Sequence, residues 1–174
     1  MRIYLIGFMG SGKSTVGQHL AHQLEWDFAD TDKIISSLSS QSISEIFACQ
    51  GEQWFRERER EILLSLRESN NTVIATGGGL PCFKDNMEIM NRTGITVYLR
   101  LPPEILTDRL LHGYRERPLL QNKTPEEISQ YVAETLRKRE AYYEKAALII
   151  DAAFKSAEDV ARLIREGINL VEKD

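Results

Sequence analysis

Gly7-Phe8-Met9-Gly10-Ser11-Gly12-Lys13-Ser14 matches G-x-x-x-x-G-K-[ST] at every fixed position. Residues of these types at this spacing bind phosphate. The glycines let the backbone curl until successive N–H groups point inward at phosphate oxygens. A helix opening from the loop adds partial positive charge. Lys13 has the reach to bridge β- and γ-phosphates, and Ser14 offers a hydroxyl ligand to Mg²⁺. Gly10, Ser11, Gly12, Lys13, Ser14 and Thr15 are therefore the expected nucleotide-binding residues. The loop implies a nucleoside triphosphate but not what accepts its phosphate. GTPases, motor ATPases and kinases all carry it. The absence of a guanine-reading N-K-x-D argues against a GTPase, and the chain is short for a motor.

For that chemistry a strand must deliver the loop and a helix must leave it. The apolar run Ile3–Ile6 precedes the loop, and Thr15–Leu24 reads as a helix. Short apolar runs at Trp26–Ala29, Thr72–Ala75, Thr96–Leu99 and Leu148–Asp151 alternate with longer helical patterns. Val73-Ile74-Ala75 and Leu148-Ile149-Ile150 are apolar throughout, which predicts strands covered on both faces. The alternation predicts a three-layer α/β fold around a parallel sheet. Ser42-Ile43-Ser44-Glu45 and Thr124-Pro125-Glu126-Glu127 fit the capping box, with Pro125 at the first helical position. Ser156 is placed to cap a last helix with the apolar stripe Val160, Leu163, Ile164, Ile168 and Val171. Between two helices, residues 112–123 (HGYRERPLLQNK) form a long, charged, irregular stretch, a candidate functional loop.

The 174 residues suit a single domain, with 42% apolar and 28% charged residues. A net charge of −4 without a basic face argues against nucleic acid as a partner. The run Arg56-Glu57-Arg58-Glu59-Arg60-Glu61 reads as a solvated helix face with i,i+4 pairs, Arg56 excepted. Cys49 and Cys82 lack metal-ligand spacing and read as free thiols of a reducing compartment. The amino-terminal apolar run is short for a signal peptide, and no stretch approaches the ~20 residues needed to span a bilayer. The expected location is cytoplasmic, with no membrane partner.

Six segments together resemble the shikimate kinase family, in order along nearly the whole chain. They are the loop GFMGSGKST, Asp30-Thr31-Asp32, Gly51-Glu52-Gln53-Trp54-Phe55-Arg56 followed by Glu59, Thr76-Gly77-Gly78-Gly79, Arg117-Pro118-Leu119-Leu120, and Arg139 four residues before Tyr143. The resemblance implies a five-stranded parallel sheet with flanking helices, of the P-loop kinase type. It adds an acceptor-binding helical segment at about 33–62 and a mobile lid at about 112–125. It implies transfer of the γ-phosphate of ATP to the 3-hydroxyl of shikimate, in aromatic amino-acid biosynthesis, with Mg²⁺. A monomer is expected.

The same resemblance distributes the roles. Asp30 would reach Mg²⁺ through water, alongside Ser14. Asp32 would accept a hydrogen bond from the attacking hydroxyl, or act as its base. The plainer reading is that one or both only cap the helix at Lys33–Leu38. Arg56, Arg139 and the backbone of Gly77, Gly78 and Gly79 would hold shikimate, since a guanidinium fork can bind its carboxylate in two parallel bonds. Glu59 would steady Arg56, and Arg137 competes for the role of Arg139. The glycine triplet stands where many phosphate-loop enzymes keep a Walker-B carboxylate. Lys13, Asp32 and Arg117 form the expected catalytic set, with Arg117 carried by the lid and Arg115 as its competitor. Arg109 matches a family position near the adenine ring. Two alternatives stay open: a related kinase acting on gluconate or a nucleoside monophosphate, and a nucleotide-binding module without catalysis.

Overall fold

Strands β1 (Arg2–Ile6), β2 (Asp27–Asp30), β3 (Thr72–Ala75), β4 (Ile95–Arg100) and β5 (Leu148–Asp151) form one sheet in the order β2-β3-β1-β4-β5, every pair parallel. The computed structural model describes residues 1–113, 120 and 122–171. Each strand coincides with an apolar run of the sequence to within about a residue at either end. The three central strands are the most buried, with Ile3 to Ile6, Val73, Ile74 and Val97 to Leu99 almost fully covered. One expectation is corrected: β5 is an edge strand, and Ile149 is 40% exposed, so its apolar run is not covered on both faces.

Among the described residues the helices are α1 (Lys13–Leu24), α2 (Thr31–Ser39), α3 (Ile43–Leu66), α4 (Asn86–Thr93), α5 (Pro103–His112), α6 (Pro125–Tyr143) and α7 (Ala157–Val171). They flank the sheet and make the three-layer α/β fold, with α1 packed on α7 and α5 on α6. The cap signals act as read. Ser42 and Thr124 each close a capping box, with Glu45 and Glu127, and Ser156 Oγ accepts from Asp159 N. In α3, Gly51 leaves helical geometry at φ 82°, ψ 169° and kinks the helix just before the segment that carries Arg56.

Two apolar clusters result. The larger joins the sheet to the helices around it. The smaller is confined to α2 and α3: Ile35, Ile46, Phe55 and Ile62, with Phe47 and Trp54 packed on it. Leu66 touches both. At the carboxyl ends of the central strands, register brings the candidate residues to one edge. Leu5 pairs with Ala75, and Asp30 pairs with Ala75 from the other side. Open parallel sheets bind ligands at this edge.

Candidate active site

β1 runs directly into the phosphate loop, where Gly7, Gly10 and Gly12 have φ of 143°, 81° and 91°. Gly12 stands at the N-cap of α1 in the left-handed region. Lys13 is buried, and its amine donates to Gly7 O at 2.9 Å and Phe8 O at 2.8 Å, which holds it over the loop. Arg109, from α5, donates to Gly10 O at 3.3 Å. Ser11, Gly12, Thr15 and Arg109 line a small cavity of about 170 Å³ with Ala152, Lys155, Ala157 and Val160. That wall, following β5, carries no chemical signal in the sequence and was not anticipated.

At the end of β2, Asp30 divides its carboxylate between two tasks. Oδ1 accepts from the backbone N–H of Asp32 and Lys33 at 3.1 and 3.3 Å, capping α2. Oδ2 accepts from the Ser14 hydroxyl at 2.6 Å. Capping is thus part of the role of Asp30, and the same residue fastens α2 to the phosphate loop. Asp32 sits in the first turn of α2 and is not its cap.

Asp32, Arg56, Gly77, Gly78, Gly79 and Arg139 converge on a cavity of about 350 Å³, walled on its apolar side by Ile43, Phe47 and Phe55. Met9, Ser14, Asp30, Asp32 and Gly78 also line the cavity over the phosphate loop, so the two spaces meet there. Arg139 lines the walled cavity whereas Arg137 is exposed. Each glycine of the triplet faces a charged side chain. A Cβ on Gly77 would lie 1.9 Å from Glu59 Oε1 and 2.8 Å from Asp32 Oδ1. On Gly78 it would lie 3.4 Å from Arg139 Nη1, and on Gly79 2.4 Å from Arg56 Cζ. Sequence reading missed the apolar wall, because Ile43, Phe47 and Phe55 read as ordinary core positions of a helix.

Arg56 is held from both sides, by Glu52 at 2.9 Å and Glu59 at 2.5 Å. Those carboxylates outweigh its burial and raise its ionisation above the usual arginine range. Glu59 is fully buried, and Oε1 has no hydrogen-bond partner among the described residues. Burial raises its pKa to about 7, with Asp32 adding to the effect against the pull of Arg56 and Arg139. The expected solvated face is corrected in part: Arg58 and Glu61 are an exposed pair on it, but Glu59 is not. Glu59 belongs to the site, while Glu57 pairs with Lys84 and Arg60 with Asp85, partners outside the helix. Arg115 and Arg117 lie outside the described residues.

A phosphate loop meeting a walled cavity with two arginines and a glycine floor defines a P-loop kinase for a small acidic acceptor. The model of the shikimate kinase family matches residues 9–169, and the chain belongs to that family. A shikimate kinase of Azobacteroides pseudotrichonymphae is 47% identical over 149 residues, 85% of this chain and 88% of the relative. The crystal structure of shikimate kinase from Bacteroides thetaiotaomicron superposes with a TM-score of 0.91 at 39% identity, covering 97% of this chain and 98% of that one. Shikimate kinase from Acinetobacter baumannii, solved in complex with shikimate, gives 0.90 at 38%, covering 99% and 94%.

Proposed function

We infer that this chain is an ATP-dependent kinase that transfers the γ-phosphoryl group to the 3-hydroxyl of shikimate, yielding ADP and 3-phosphoshikimate for aromatic amino-acid biosynthesis. The observation that carries the reading is the junction of the two cavities. Asp32 and Gly78 line both, so a ring held by Arg56 and Arg139 presents a hydroxyl to the phosphate loop beside a carboxylate.

The residues then divide the work. Loop N–H groups and Lys13 bind the β- and γ-phosphates, and Arg109 flanks the nucleotide. Arg56 and Arg139 take the acceptor carboxylate in charge-assisted hydrogen bonds. The triplet glycines let the ring approach main chain. Asp32 orients the hydroxyl and takes its proton as the oxygen–phosphorus bond forms and the bond to the bridging oxygen of ADP breaks. Catalysis is mostly positioning and electrostatics. Arg117 would spread the developing charge from a lid that excludes water.

Ser14 and Asp30 fit Mg²⁺. Their hydroxyl and carboxylate oxygens are hard donors 2.6 Å apart, and Mg²⁺ keeps several waters besides such ligands. When bound, the ion neutralises phosphate charge. The proposed working unit is a monomer. No described helix is long and apolar enough to cross a membrane. Free thiols at Cys49 and Cys82 and the use of ATP support a cytoplasmic location.

The test is ADP release with Mg²⁺-ATP and a panel of shikimate, quinate, gluconate, AMP and CMP. Strong stimulation by shikimate alone is expected. Stimulation by another member would overturn the acceptor but keep the kinase. ATP binding without stimulation by any would leave a non-catalytic module.

A further inference from the structure

Tyr143 ends α6 one turn after Arg139, and no role above uses it. Its ring is fully buried against Tyr98 of β4, with centroids 5.1 Å apart. Its hydroxyl donates to Gly78 O at 2.6 Å. Arg139 stands one turn earlier on α6, and its Nη1 lies 3.4 Å from where a Cβ on that glycine would stand. A phenol hydroxyl has one proton to give, and here it goes to the middle carbonyl of the triplet. Burial pushes its ionisation far above the ordinary range, so it remains a neutral donor.

Gly78 and Arg139 meet in the acceptor site. Gly78 is the middle peptide of the triplet. A Cβ there would meet Met9 N at 3.3 Å and Gly7 O at 3.4 Å, so its backbone already rests on the phosphate loop. Arg139 has the Phe8 ring 5.7 Å from its guanidinium carbon, but no acidic partner is recorded for it among the ion pairs of the described residues. Arg56, by contrast, is clamped by two carboxylates.

We propose that Tyr143 is a positioning residue for the acceptor: its hydroxyl holds the Gly78 peptide in register beside the Arg139 guanidinium and the phosphate loop. The proposal rests on the acceptor reading above. A hydroxyl that merely satisfied a core polar atom would, on removal, lower stability and leave the kinetics alone.

The experiment is a double-mutant cycle of Tyr143→Phe and Arg139→Ala. It reads shikimate KM, kcat, ATP affinity by direct titration, and the thermal unfolding midpoint. Tyr143→Phe should raise shikimate KM roughly tenfold, the scale of one lost hydrogen bond with an orphaned buried acceptor. kcat and ATP affinity should stay within about twofold, and the KM effect should shrink or vanish in the Arg139→Ala background, as for coupled residues. A folded Tyr143→Phe with shikimate KM within about twofold of the parent, or a KM rise of equal size in both backgrounds, overturns the proposal. Should that variant not fold, 4-aminophenylalanine at position 143 keeps the ring and puts a weaker donor against Gly78 O. A raised shikimate KM with ATP binding intact then supports the proposal, and an unchanged one overturns it. The unsubstituted protein separates the two failures. If it binds ATP without responding to shikimate, the acceptor reading falls and takes this proposal with it.

Discussion

Two glycine-rich turns leave neighbouring strands side by side, one after β1 and one after β3. In the first, Gly7, Gly10 and Gly12 all have positive φ, where L side chains are strained. Space is not the constraint at Gly12, where the nearest neighbour of an added Cβ is Arg109 Nη1 at 3.7 Å. In the second turn none of Gly77, Gly78 and Gly79 has positive φ. There an added Cβ would strike the carboxylates and guanidiniums of the acceptor site, most severely at Gly77 and Gly79. Gly12 serves the shape of the backbone alone and Gly77 and Gly79 the volume they leave empty, while Gly7 serves both, since a Cβ there would also lie 2.9 Å from Leu99 O. The difference follows from what each turn binds with. On the reading proposed above, phosphate would be cradled by main-chain N–H groups, so the loop carries its own instructions. On the same reading, the acceptor would be held by side chains from α2, α3 and α6, which close in on the triplet.

Substitutions that keep one requirement and violate the other will test this contrast. The largest effect is expected at Gly77→Ala, which drives a methyl into Glu59 and Asp32. Shikimate-dependent kcat/KM should fall roughly 10²-fold or more, the scale of a displaced catalytic group, with ATP affinity unchanged in direct titration. Gly79→Ala displaces the Arg56 guanidinium and should raise shikimate KM roughly 30-fold, as for a lost charge-assisted hydrogen bond, with a smaller effect on kcat. Gly12→Ala meets no clash but pays in torsion, about 1–2 kcal/mol, and should weaken ATP binding roughly tenfold while shikimate binding to the free enzyme is unchanged. If Gly12→Ala hurt acceptor binding and Gly79→Ala hurt ATP binding, the division of labour would be wrong.

The smallest effect concerns pH. Glu59 has a folded-state pKa of about 7 against 4.5 for the free group, so the folded protein holds a proton that the unfolded chain has released. Its contribution to stability is most favourable below about 4.5 and is lost as pH rises towards about 7. Unfolding midpoints of the ligand-free protein should carry a downward slope across that window, and Glu59→Gln should flatten it. An unchanged slope in a folded Glu59→Gln variant would mean that another group is responsible.

The contrast also explains what could be read in advance. The five strands were legible because apolar runs such as Ile3–Ile6 and Thr72–Ala75 satisfy one local rule, and Ser42 and Thr124 announced their helices by a four-residue pattern. The phosphate loop was legible for the same reason. Glu59 was not, beyond a helping role: within an alternating charge run nothing local distinguishes it from Glu57 or Glu61, and only the packing of α3 against the triplet buries it. The kink at Gly51 and the apolar wall of Ile43, Phe47 and Phe55 likewise depend on how α2 and α3 fold over the sheet edge. The resemblance to a family named Arg139 over Arg137, but only the face of α6 on which each stands gives the reason.

The small apolar cluster of α2 and α3 has a consequence for how such a protein can change. Ile35, Ile46, Phe55 and Ile62 stabilise α2 and α3 largely apart from the interior that supports the sheet, with Leu66 as the shared contact. Mutational drift in that cluster can therefore reshape the space around Phe47 without endangering the phosphate loop. Natural selection, or a designer, can explore new acceptors there while the nucleotide machinery is inherited intact.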